Sequence, residues 1–149
     1  MSALTATADL TDRLQQELAH APAVLVTVTQ TQGSVPRGAG TWMAVLAHTV
    51  VGTIGGGHLE WQAIAQARQL LAEPSAPAQT QRHALGPSLG QCCGGAVELR
   101  LEHITPALQS SANWLQQLRP QLTPLALFGG GHVGQAIVQV MLNLPYAVT

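Results

Sequence analysis

The chain has 149 residues and not one of them is lysine. That excludes a P-loop lysine, a Schiff-base lysine and a lysine general base together. Any bound anion must be held by the six arginines, by backbone N–H groups or by helix N-termini. Charge of either sign is scarce: 9% of residues are charged and the net charge is −1, so no basic field draws nucleic acid or an anionic membrane. Cysteine is nearly absent too. The only two, Cys92 and Cys93, are adjacent, which excludes a disulfide framework and a zinc ribbon. They do not suit a bridge to each other, because neighbouring Cα atoms lie about 3.8 Å apart and a disulfide wants about 4.4–6.8 Å. Both therefore read as free thiols in a reducing compartment. No export signal is expected, since Asp9, Asp12, Arg13 and Glu17 interrupt the first 21 residues. Beyond Arg119 no charged residue follows, yet Gly129, Gly130, Gly131 and Gly134 break that tail and argue against a membrane span. Cytoplasm is the expected location.

What is present is an alternation of short apolar runs and amphipathic segments. Leu10, Leu14 and Leu18 recur every four residues, predicting a helix near 9–20 with Thr7 or Asp9 as its cap. Ala23–Thr29 reads as a buried strand, and Thr41–Ala47 with Thr49–Ile54 as a hairpin. A helix follows from about His58 to Ala72, with Leu59, Ala63, Ala67 and Leu70 on one face. Strands are expected at Thr80–Leu85 and Val97–His103; in the second, Val97, Leu99 and Leu101 alternate with Glu98, Arg100 and Glu102. Pro106–Arg119 reads as a polar linking helix. Then come a short buried strand at Leu125–Phe128, a helix to about Asn143 and a strand beginning at Tyr146. The fold class is α/β: a mixed sheet flanked by helices, followed by an incomplete Rossmann-type strand–turn–helix unit.

Four glycine-rich segments carry the candidate chemistry. Gly129, Gly131 and Gly134 form G-x-G-x-x-G between a strand and a helix, a turn suited to a phosphate at a helix N-terminus, and His132 within it would position a bound anion. The ribose-binding acid of such sites lies about 20 residues further on, beyond Thr149, so nucleotide binding is not expected of this chain. The loops around Ser34–Arg37, Gly55–Glu60 and Gly90–Gly95 each sit at a strand end. If their strands share a sheet, they converge on a pocket of backbone N–H groups, Arg37, Glu60 and two thiols, in which Arg37 is the strong anion binder. Solvated-turn and helix-start roles for Arg37 and Glu60 are the alternatives. His58-Leu59-Glu60 before two cysteines invites comparison with zinc deaminases, but the cysteine spacing is wrong for them. His20, His48, His83 and His103 are scattered and read as surface or turn residues.

Four segments together resemble the XdhC/CoxI family of accessory proteins for molybdenum hydroxylases, in its xanthine dehydrogenase branch. They are Gly33-Ser34-Val35-Pro36-Arg37, Gly55-Gly56-Gly57-His58-Leu59-Glu60, Leu85 to Gly95, and Phe128-Gly129-Gly130-Gly131-His132-Val133-Gly134. The resemblance implies an N-terminal domain over residues 1–105, a linking helix over 106–122 and the start of a truncated Rossmann-like domain over 123–149. It implies a non-catalytic chaperone that binds the molybdenum cofactor, a molybdopterin. The chaperone would hold it for sulfuration by a cysteine desulfurase-type sulfurtransferase and insert it into apo xanthine dehydrogenase. The implied cofactor-binding residues are Ser34, Arg37, Gly56, Gly57, Glu60, Gln91, Cys92, Cys93, Gly94 and Gly95. The family's C-G-G maps onto Cys93-Gly94-Gly95 and marks Cys93 as the thiol for molybdenum. Two other classes stay open: a thiol-dependent sulfur-transfer or redox enzyme using Cys93, and a cofactor-free interaction module. The apolar tail is expected to pack on the first domain or, by preference, on a second copy of the chain, giving a homo-oligomer.

Overall fold

The computed structural model describes residues 3–86, 94–110, 114–118, 123–141 and 146–149. Helix α1 (Ala3–Leu18) begins the chain. It starts earlier than the leucine spacing suggests, so Thr7 and Asp9 lie inside it rather than at its cap. Strands β1 (Val24–Gln32), β2 (Trp42–Val45) and β3 (Val50–Gly52) follow, then helix α2 (Gly57–Leu71) and strands β4 (Gln79–Ala84) and β5 (Ala96–His103). The five strands form one sheet in the order β3-β2-β1-β5-β4. Every pairing in it is antiparallel, because hairpins join β1 to β2 to β3, and β5 runs back between β1 and β4. Mixed character is confined to the chain as a whole, whose later strands pair in parallel.

The alternation along β1 explains the layering. Val24, Val26 and Val28 point to one face, where they meet Leu99 and Leu101 of β5 and the stripe Leu59, Ala63, Ala67 and Leu70 of α2. These four α2 residues are buried, as their spacing predicts. Leu25 points to the other face, against Leu14 of α1 and the residues Trp42, Ala44 and Val51 of β2 and β3. The first half of the central strand is thus buried on both sides, while Gln30–Gln32 at its end are exposed, and each fully buried Leu or Val adds about 1.5–3 kcal/mol of hydrophobic stabilisation.

Pro106–Arg119 is less of a spacer than its polarity suggests. Two short helices, α3 (Pro106–Ser110) and α4 (Trp114–Gln117), are described there, and Trp114 and Leu118 are buried in the α1-side core. The indole Nε1–H of buried Trp42 donates to the Leu118 carbonyl at 2.6 Å, tying this segment to β2.

The tail forms a parallel unit: β6 (Thr123–Leu125), α5 (His132–Met141) and β7 (Tyr146–Val148). The ladder continues through Thr149 N–H to the Leu125 carbonyl (3.0 Å) and Leu127 N–H to the Thr149 carbonyl (2.8 Å). The strand expected at Leu125–Phe128 therefore sits earlier, and it is not buried: Phe128 is 95% exposed. No described residue of α5 is buried, since two strands alone supply no layer to cover it. Among the described residues no helix is long and apolar enough to cross a membrane.

Two stability predictions follow from these contacts. Trp42→Phe keeps the ring but leaves the Leu118 carbonyl without its donor, which should cost about 1–3 kcal/mol in urea denaturation; an unchanged midpoint would contradict the contact. His83, expected at the surface or in a turn, instead sits within β4, partly buried, with Nε2 unpartnered among the described residues. Burial lowers its pKa from the ordinary 6.5. The folded protein resists protonation there while the unfolded chain accepts it. Its contribution is whole above pH 6.5 and lost as pH falls from 6.5 through the folded value. His83→Leu should flatten the acid side of the stability curve; an unaltered slope would refute this.

Candidate functional site

Antiparallel order gathers the candidate loops at one end of the sheet. β1, β3 and β4 end there and β2 and β5 begin there, so loops 33–41 and 53–56 and the described ends of the cysteine segment lie side by side. The N-terminus of α2 follows directly from the second loop.

Absent side chains make the contacts between these loops. A Cβ on Gly95 would overlap the carbonyl oxygens of Gln32 and Ser34, and one on Gly33 would lie 3.2 Å from the Gly95 Cα. A Cβ on Gly55 would lie 2.9 Å from the Pro36 Cβ and 3.3 Å from the Arg37 Cγ. Gly55, Gly56 and Gly57 have φ of 122°, 78° and 70°, a run that residues with side chains adopt only under strain. The Leu85 N–H donates to the Gly95 carbonyl at 2.8 Å, closing the two described ends of the cysteine segment together.

Glu60 holds the second loop in shape. Its Oε2 accepts from the N–H groups of Ile54 and Gly56, each at 3.0 Å, and from the Thr53 hydroxyl. Thr53 Oγ1 in turn accepts from the Gly55 N–H at 3.1 Å. The carboxylate sits in the first turn of α2, where the helix dipole favours it. Sequence reasoning had no means of finding Thr53, because its role exists only once the loop closes on Glu60. Neighbouring His58 stacks on Trp61, with ring centroids 5.8 Å apart, and its Nε2 lies 3.0 Å from Gln62 Nε2.

Arg37 contrasts with Glu60. It is exposed and makes no hydrogen bond or ion pair among the described residues, where the single ion pair joins Arg100 to Glu102. Ser34 and Gly94 are exposed as well, while Gly95 is buried. The structure thus brings together Ser34, Arg37, Gly56, Gly57, Glu60, Gly94 and Gly95. Gln91, Cys92 and Cys93 lie outside the described residues. Gly129, Gly131, His132 and Gly134 occupy the head of α5 instead. There a Gly134 Cβ would overlap the Gly129 carbonyl, Gly129 has φ 109°, and Gly131 has open space around it. His132 is exposed and lines the outward apolar face of α5 with Val133 and Ile137. Among the described residues no three His, Asp, Glu or Cys side chains gather as metal ligands.

Comparison with known proteins follows the same ground. The model of the XdhC and CoxI family matches residues 17–83, from the end of α1 into β4. A relative from Escherichia coli (strain K12), described as the uncharacterized protein YqeB, is 28% identical over 131 residues, covering 87% of this chain and 21% of its own length. A crystal structure described as a xanthine dehydrogenase from Bacillus halodurans superposes with a TM-score of 0.55 at 25% identity, covering 72% of this chain and 32% of that one. The chain therefore spans well under half the length of either relative.

The glycine contacts make a paired prediction. Gly95→Ala should destabilise the protein by about 3 kcal/mol, the upper range for overpacking. Gly94→Ala, with nothing within 4 Å of its Cβ, should change stability by less than about 0.5 kcal/mol. Equal thermal shifts in the two variants would contradict the loop packing.

Proposed function

We propose, from the match of the XdhC and CoxI family model to residues 17–83, that the chain is an accessory protein for a xanthine dehydrogenase. Its task is to hold molybdopterin cofactor for sulfuration and deliver it to the apo-enzyme. The observation that carries this reading is Arg37: a guanidinium free of any partner among the described residues, at the rim of a glycine-loop cluster that abuts the cysteine segment. Its Cγ packs near Gly55, but no hydrogen bond or ion pair among the described residues engages its guanidinium, which is therefore available to an anion.

The residues fit a phosphate-bearing pterin. Arg37 can grip a phosphate bidentately, and the head of α2 at exposed Gly57 and His58, which has no side-chain cap, offers N–H groups beyond the Gly56 N–H already given to Glu60. Ser34 and Gly94 border the same rim, and Gln91, Cys92 and Cys93 continue it in sequence. Glu60 acts through the 53–56 loop, keeping the glycines in their left-handed conformations. Gly95 fixes where the cysteine segment re-enters the sheet. The cargo supplies a molybdenum centre for which soft thiolates, Cys93 first and Cys92 second, are suitable neighbours. A sulfurtransferase of the cysteine desulfurase type is the partner that such a sulfuration needs.

The test is retention of molybdenum by the purified chain after incubation with cofactor and gel filtration. Cys93→Ala should abolish retention, Cys92→Ala should weaken it less, and Arg37→Ala should lower affinity by about tenfold, the scale of one lost charge-assisted contact. Full retention by Cys93→Ala and Arg37→Ala would contradict the reading. Multiple turnovers of sulfur transfer by the isolated chain without cofactor would replace it with a thiol-transfer enzyme.

A further inference from the structure

Glu98 stands between two arginines on one sheet face and is salt-bridged to neither. Register sets Arg82 of β4 opposite it on one side and Gln30 of β1 opposite it on the other, so the three share the face away from α2. Arg100, two residues along β5 on that face, is taken by Glu102 at 3.0 Å. Arg82 turns instead to Gln32, its Nη2 donating to Gln32 Oε1 at 2.6 Å. Glu98 turns to Thr29, whose Oγ1 donates to Glu98 Oε1 at 2.8 Å. Thr29 can reach it because the β1–β5 register slips between Val28 and Gln30, and an extra residue of this kind re-aims a side chain.

Opposite charges directly across a strand pair attract and ordinarily meet. Here a neutral neighbour holds each one back. A cavity of about 240 Å³ opens there, lined by Gln30, Gln32, Arg82, Ala96 and Glu98 among others. Its chemistry is complementary rather than of one sign. Arg82 keeps N–H donors beyond the one given to Gln32, and Glu98 Oε2 has no donor among the described residues. A bare anion would be repelled by Glu98 and a bare cation by Arg82. A neutral ligand offering a carbonyl to the guanidinium and adjacent N–H groups to the carboxylate satisfies both. The volume lies just below the range of about 300–1,000 Å³ for drug-sized ligands, which suits a single fused ring system.

We infer that this pocket recognises the amino-lactam edge of a planar fused heterocycle, the edge that guanine and pterin share. The pocket borders the loop cluster, since Gln32 and Ala96 flank Gly33 and Gly95. It uses neither Arg37 nor the cysteines; in taking a pterin ring it rests on the chaperone reading and adds ring-binding residues to it, and ring binding without molybdenum is read separately from cofactor retention.

Equilibrium dialysis of the full chain, without molybdenum, tests the inference with pterin, guanosine and lumazine, the last being pterin with a carbonyl in place of the amino group. Pterin or guanosine should bind, the tighter of the two identifying the source of the edge, and lumazine should bind at least about tenfold more weakly than pterin if pterin is that source. Arg82→Met and Glu98→Gln should each lower affinity by about tenfold with the melting temperature retained. Thr29→Val keeps both charges but frees Glu98 to swing toward Arg82, and should weaken binding as well. If a charge variant unfolds, Thr29→Val and the lumazine comparison carry the test. Absence of binding at millimolar pterin and guanosine, lumazine binding as tightly as pterin when guanosine does not bind, or affinity unmoved in the folded variants would overturn the inference.

Discussion

The packing of Gly95 against the Gln32 and Ser34 carbonyls is the constraint on which the candidate site depends. It brings the start of β5 flush with the end of β1, and the β1–β5 ladder from Ala96 to His103 extends from there. That ladder places Val97, Leu99 and Leu101 over α2 and leaves Glu98 on the opposite face. A side chain at position 95 would have to part the two strands where the cysteine segment joins the sheet. The same exclusion, repeated at Gly55 against Pro36, draws the α2 loop onto the 33–37 loop. Backbone-to-backbone contact therefore assembles the site, and polar side chains are left over for other work.

How those side chains are used differs sharply. Glu60 spends its carboxylate on Thr53, Ile54 and Gly56, so a residue that reads as a ligand from sequence acts here as an internal brace. Arg37 spends nothing. Arg13 and Arg68 are likewise exposed and unpaired among the described residues, but Arg37 alone of the three stands where the glycine loops meet, and in a chain with no lysine it is the cation there that an anion could use. The Arg82–Glu98 pocket, around the edge of the same strands, has the contrary character, because its two charges oppose each other across one cavity.

Period was legible in the sequence and tertiary context was not. The four-residue stripe of α2 and the two-residue alternation of β5 name their buried faces correctly, since apolar spacing maps directly onto helix and strand geometry. The meeting of the 33–37 and 55–60 loops was legible on the condition that their strands share a sheet; of the third loop only Gly94 and Gly95 are among the described residues, and they lie against the first. The bulge at Thr29 was not, as nothing local distinguishes it from an ordinary strand residue. Trp114 and Leu118 sit in a polar stretch whose burial depends on Trp42, 72 and 76 positions away. Phe128 misled in the other direction: an apolar strand residue is buried only where another layer exists to cover it, and two strands provide none.

Central to this account is that the three loops act as one binding surface around Arg37. Hydrogen exchange of the full chain with and without molybdopterin cofactor measures this most directly, because each loop reports separately on the same event. Protection should rise together in the peptides spanning 33–37, 55–60 and 91–95, and Arg37→Ala should remove it from all three. Protection confined to one loop, or to the turn at 129–134 alone, would contradict it.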